Sequence, residues 1–146
     1  MKNTRIHLSF FVLVLLIAAA LTCTACTPVP TYNPTEANIT SRTELGTGAK
    51  TVTFLAVDKD NNAAMFIIRT DAEYLSGALE EHGLISGYES QYGLTVETVN
   101  GATLDFNGGT AYWAVYDGDT YANYGVDSLA IVDGGCYSLV HTVWVG

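Results

Sequence analysis

Apolar residues fall into several kinds of run along this chain, and each predicts a different element. Residues 10–21 are twelve apolar side chains without interruption. As a helix they span about 18 Å, too short for the ~30 Å hydrocarbon core of a membrane and suited to the apolar part of a secretory signal. From residue 27 to 48 the pattern disappears. That stretch is rich in Thr, Pro, Asn, Ser and Gly, and it holds all three prolines, Pro28, Pro30 and Pro34. With so little apolar surface to bury it predicts a flexible spacer, and residues 26–49 are assigned to that role together with Cys26. The folded domain is then expected over 50–146. Residues 51–57 and 63–68 are β-rich and flank Asp58-Lys59-Asp60-Asn61-Asn62, which predicts a hairpin. The period then changes: Leu75, Ala78, Leu79 and His82 recur at helical spacing. Thr70-Asp71-Ala72-Glu73 has the form of a capping box, and Gly83 stands where a left-handed C-terminal cap belongs. Residues 94–99 read as a strand returned by Asn100-Gly101 into 102–104, and 111–116 and 137–144 read as strong strands. The expected fold is α+β, a single mixed sheet with one helix, β-grasp-like.

Charge and cysteines bear on location. Lys2 and Arg5 precede the apolar run, and Cys23-Thr24-Ala25-Cys26 follows it. This resembles the bacterial lipobox, in which a small residue precedes a cysteine that is acylated and becomes the first residue of the mature chain. Residues 1–25 are then a signal and Cys26 the lipidation site. Cys23 occupies the position usually held by Leu. Cleavage before Cys23 is the competing choice, with Thr22 a poorer residue at the cut than Ala25. The expectation is a lipid-anchored chain facing the outside of a bacterial cell. Loss of Lys2 and Arg5 from the six basic residues leaves four against fifteen acidic ones, a net charge of −11. A polyanion of that sign repels phosphate backbones, so nucleic acid is not an expected partner, and the membrane is met through the lipid only. After processing Cys136 stands alone, without an internal disulfide partner. His141, five residues on along the same strand, points to the other face, so Cys136 reads as a structural thiol.

Candidate chemistry is sparse. Asp58-x-Asp60-x-Asn62 begins like a calcium loop, but Ala63 and Arg69 stand where the loop needs Gly and Glu. A polar turn is the simpler account, as it is for Asp117-Gly118-Asp119. His82 and His141 lie in no nucleophile or metal pattern, His82 reads as a helix C-terminal cap, and no enzyme is expected; no cofactor is implied. The aromatic residues of the last third are different. Tyr112, Trp113, Tyr116, Tyr121, Tyr124, Tyr137 and Trp144 exceed what a minimal core needs. In the 111–116 strand Trp113 and Val115 share one face, and Tyr112 and Tyr116 the other. A sheet with one helix covers one face well, so aromatic side chains are expected at a surface that contacts a ligand or partner. The expected ligand-binding residues are Trp113, Tyr116, Tyr124, Tyr112 and Trp144.

Several stretches carry a resemblance, in order: Leu79-Glu80-Glu81-His82-Gly83-Leu84, Tyr92-Gly93-Leu94-Thr95-Val96-Glu97-Thr98-Val99-Asn100-Gly101, Ala111-Tyr112-Trp113-Ala114-Val115-Tyr116, Tyr124-Gly125-Val126-Asp127, and Asp133-Gly134 leading to Trp144. Together they resemble the transcobalamin C-terminal-like domain of bacterial surface proteins. Vertebrate members of that family use the domain as the smaller half of a clamp around cobalamin. The resemblance therefore implies a small-molecule ligand, a corrinoid such as cobalamin, with a second protein or a dimer completing the site. An adhesion or scaffolding module that meets another extracellular protein or a wall polymer through its aromatic face is the alternative.

Overall fold

The alternating runs pair as their turn residues dictate. In the computed structural model, which describes residues 36–105 and 110–144, strand β2 (Lys50–Val57) turns back antiparallel into β3 (Asn62–Thr70). The Asp58 carboxylate makes the turn by accepting the backbone N–H groups of Asp60 (2.8 Å) and Asn62 (2.9 Å), while Asn61 takes φ 62°. Strand β9 (Cys136–Val143) adds parallel to β2, and β7 (Ala111–Asp117) adds antiparallel to β9. Gly118, at φ 57°, returns β7 into the two-residue β8 (Thr120–Tyr121). At the opposite edge β1 (Asn38–Gly46) lies parallel to β3, which gives a six-stranded sheet in the order β1-β3-β2-β9-β7-β8. A smaller antiparallel sheet holds β4 (Ile85–Ser90), β5 (Gly93–Val99) and β6 (Ala102–Thr103). Asn100 and Gly101, at φ 47° and 78°, form the expected turn between β5 and β6. The fold is α+β with a mixed sheet and a short helix, and the strands divide between two sheets.

Three expectations change. The flexible spacer assigned to 26–49 ends earlier, because Asn38–Gly46 is an edge strand; its residues before 36, with the signal and Cys26, lie outside the described residues. Strand β1 needs no apolar side chains of its own, since its order comes from backbone pairing with β3 and all its side chains but Leu45 are exposed. The helix α1 (Leu75–Glu80) starts later than the capping-box pattern implies. Thr70 closes β3 instead, its hydroxyl accepting the Ala72 N–H at 3.0 Å. The first helical N–H groups, on Leu75 and Ser76, donate to the Leu129 and Val126 carbonyls at 2.8 and 2.9 Å, so a neighbouring loop replaces a side-chain cap. Gly83 does end the helix at φ 62°, with the Leu84 N–H bonded to the Leu79 carbonyl. His82 does not cap that end: it is half-buried against Gly46, with its Nε2 unpartnered among the described residues.

Alternation along each strand sorts side chains to two packed faces. On one face Val52, Phe54, Phe66, Ile68, Tyr137, Leu139 and Trp113 meet Leu75, Ala78 and Leu79 of α1 and Val126, Leu129 and Ile131 of the loop before β9. Phe54 and Phe66, directly paired, stack with ring centroids 6.1 Å apart. Burial of each such side chain contributes about 1.5–3 kcal/mol. On the other face Leu55, Val57, Ala63, Ala114, Tyr116 and Val140 form a second buried cluster, with Met65 and Tyr112 against it.

Candidate functional site

The site follows from one change of side-chain size along the β2–β3 hairpin. The Phe54–Phe66 rung fills the space beneath the smaller sheet, but the next rung toward the turn is Ala56 opposite Ala64. The volume that two large side chains would take is left as a cleft of about 190 Å³. Ala56, Ala64, Val99 and Trp113 give it apolar walls, and Asp58, Asn62 and Asn100 stand at its polar rim. Burial by itself would raise the Asp58 pKa. Hydrogen bonds from the Asn62 backbone and side chain and from the Asp60 N–H, with the Lys59 charge, outweigh that and hold it below its ordinary value. The rim is therefore negative at neutral pH, with acceptors and a carboxamide donor set over apolar walls, a combination typical of ligand sites. A larger hollow of about 390 Å³ is lined by Leu45 and Ile67 together with Glu44, Thr47, Thr51 and Arg69, and no aromatic side chain forms a wall of it. The Trp113 cleft is the stronger candidate.

Trp113 is buried and held by two contacts. It is only 8 % exposed, its Nε1–H donates to the Glu97 carbonyl at 3.1 Å, and its ring meets His141, its cross-strand partner, edge to face at 5.6 Å. It is a core residue with one edge on the cleft, where an exposed contact residue was expected. Tyr116 is likewise interior, at 6 % exposure, and lies with half-buried Tyr112 on the opposite face of the sheet. The rings of Tyr116 and Tyr121 meet edge to face at 5.6 Å. Burial raises the hydroxyl pKa of both Tyr112 and Tyr116; at Tyr112 the neighbouring Tyr121 adds to it through its charge and a hydrogen bond. Trp144 is 67 % exposed just past β9, where its N–H donates to the Thr110 carbonyl at 2.6 Å. The five expected residues thus do not share one surface, because successive positions of β7 face opposite sides and both sides are packed. Cys136 is half-buried, and its thiol pKa is raised by burial and by the charges of Asp119 and Asp117, as suits a structural thiol.

Other aromatic side chains are exposed elsewhere. Tyr124 is 52 % exposed, Tyr88 of β4 is exposed as well, and Tyr92 is 88 % exposed at the tip of the β4–β5 hairpin. Asp127 fastens that tip to the Tyr124 loop by accepting the Leu94 N–H at 3.3 Å. Gly93, at φ 98°, lies so close to the Asp127 carboxylate that a Cβ there would collide with it. Tyr88 and Tyr92 were not among the expected contact residues. The available signal was the repeated Tyr-Gly pair, Tyr92-Gly93 and Tyr124-Gly125, in which glycine permits close approach and the ring is left outside.

No protein-family model matches the chain, and no curated protein matches it. Solved structures do. A protein from Ruminococcus gnavus ATCC 29149 described as a candidate metal binder is 28 % identical, with a TM-score of 0.63 over 66 % of this chain and 100 % of that one. Haptocorrin in complex with Cbi is 14 % identical, with a TM-score of 0.51 over 69 % of this chain. The match spans 27 % of haptocorrin and shows a shared fold alone. Among the described residues no group of three or more His, Cys, Asp or Glu is placed to hold a metal ion, and no helix is long and apolar enough to cross a membrane.

Proposed function

We propose that this chain is a non-catalytic ligand-binding module, carried outside a bacterial cell by a lipid on Cys26, with a corrinoid as its specific ligand. The observation that carries this is the Trp113 cleft, where apolar walls and a polar rim converge between the two sheets. The haptocorrin likeness is compatible with it at the level of the fold, and the transcobalamin resemblance supplies the ligand class. At about 190 Å³ the cleft is smaller than the ~300–1,000 Å³ of sites that enclose a drug-sized molecule. It takes one edge of a large ligand, and a second protein or a second copy covers the rest. The chain has two tryptophans, so Trp144→Phe leaves Trp113 as the sole reporter. Titration of that variant with cobalamin should give a saturable change in tryptophan emission after inner-filter correction. Unchanged emission at high micromolar cobalamin would move the function to a protein or wall-polymer contact. That second function is favoured by the exposed Tyr88, Tyr92 and Tyr124.

A further inference from the structure

The four sheet edges among the described residues are not alike. Strand β8 is two residues long and covers only the Tyr116 and Asp117 end of β7, β6 is two residues, and β4 keeps a regular register only over the four residues from Gly87 to Ser90. Short or irregular edges present little ladder to another chain. Strand β1 is nine residues long, ends the order of the large sheet, and pairs without interruption with β3 from Ser41 to Gly46. It contains no Pro or Lys, its two charged residues are of opposite sign, and every side chain but Leu45 is exposed. Its charges, Arg42 and Glu44, are two residues apart and therefore project from the same face. Their own ion pair is loose, 3.9 Å, with both side chains well exposed.

We infer that β1 is a homodimerisation edge, pairing antiparallel with β1 of a second copy about a two-fold axis at Thr43. The sequence selects both the partner and the register. A two-fold axis perpendicular to the sheet must pass through a residue, because paired residues have to share a face. An axis at Arg42 opposes two arginines, an axis at Glu44 opposes two glutamates, and an axis at Ser41 sets both charges against neutral side chains. An axis at Thr43 places Arg42 opposite Glu44 of the second copy and Glu44 opposite its Arg42, with Thr43 facing Thr43. Opposite-charge and Thr–Thr pairs are favourable at the ~4.5–5.5 Å separation of facing Cβ atoms, and like charges there are unfavourable. The pairing covers residues 40–46 and stops where the β1 register shifts, between Ile39 and Ser41. The two large sheets become one continuous sheet of twelve strands, six from each copy. This dimer stands independently of ligand identity.

The test uses the full-length chain in membranes. Thr43→Cys puts a thiol on the axis, where facing Cα atoms fall within the span a disulfide bridges. Oxidation should yield a disulfide-linked dimer several-fold above wild type, whose native cysteines set the background, and above Asn38→Cys, which lies far from its mate in this register. In the Thr43→Cys background, Arg42→Glu or Glu44→Arg alone opposes like charges in both pairs and should reduce the dimer at least about tenfold. The exchange Arg42→Glu with Glu44→Arg should restore it, and so should co-expression of the two single variants. Each variant should still unfold in one cooperative thermal transition, since both side chains are exposed in the single copy, with any fall in Tm confined to the variants that lose the dimer. Equal cross-linking of Thr43→Cys and Asn38→Cys, or indifference to the charge reversals, would overturn the inference.

Discussion

Strand β7 and the β4–β5 hairpin carry the same kinds of side chain to opposite ends. In β7 and its partner β9, Trp113, Tyr116 and Tyr137 are buried. At the hairpin and the loop beside it, Tyr88, Tyr92 and Tyr124 are exposed. Two of the buried group have their polar atoms met by backbone: Trp113 donates to the Glu97 carbonyl, and the Tyr137 hydroxyl accepts the Val132 N–H at 3.0 Å. An aromatic ring with a polar tip is at home in a core when the backbone meets that tip. At the hairpin the contacts are made by glycine backbone and Asp127, so the rings are not needed to hold the loops together. Aromatic surplus in a sequence therefore measures neither core nor contact surface. What decides is whether an element has packed layers on one face or both.

The strongest way to break this contrast is Trp113→Ala. Removal of a buried indole with a backbone hydrogen bond should cost about 3–5 kcal/mol, read from denaturant unfolding. A cost below about 1 kcal/mol would mean that Trp113 belongs with the exposed group and that its cleft wall is not part of the core.

Much of this was legible because it is local. The Asp58–Asn62 turn, the Asn100-Gly101 turn and the Gly83 cap depend on residues whose side chains or positive φ act within a few positions. The two-face division of β7 also followed from period alone. Strand β1 was not legible, because its order comes from the β3 backbone rather than from its own exposed side chains. Strand β4, Ile85–Ser90, was hidden by Ser86 and Gly87, residues that signal loops unless a neighbouring strand recruits them. The start of α1 is set by carbonyls of Val126 and Leu129, about fifty residues away in sequence. The cleft is the same lesson in the site: Ala56 and Ala64 carry no chemistry, and they matter only because Trp113 and Val99 lie across the gap.

A smaller effect sharpens the contrast from inside the packed region. Ser138 is fully buried in β9, on the face of Leu55 and Val140, and its hydroxyl has no partner among the described residues. With His82 Nε2 it is one of two buried side-chain polar atoms left without a partner among the described residues. An unsatisfied buried hydroxyl costs about 1–3 kcal/mol of desolvation, and alanine removes it at the expense of little volume. Ser138→Ala should therefore raise stability by about 1 kcal/mol in the same unfolding experiment. A loss of that size would show that the hydroxyl is hydrogen-bonded in solution.

The smallest expected change in stability is the most informative about contact. Tyr92→Ser and Tyr124→Ser remove rings that stand in solvent, away from the Asp127 hydrogen bond that fastens the hairpin to the loop. Surface substitutions of this kind stay within about 0.5 kcal/mol. The hairpin contact itself survives, because it runs from the Leu94 N–H to the Asp127 carboxylate and uses neither ring. If the exposed tyrosines serve a protein or wall-polymer partner, the double variant should fold with wild-type stability and lose adhesion to that partner. Cobalamin titration through Trp113 should be unaffected, since Trp113 lines the separate cleft between the sheets. A double variant that lost about 2 kcal/mol or more would place the tyrosines in the fold instead, and the division between packed and exposed aromatic regions would fail at its exposed end.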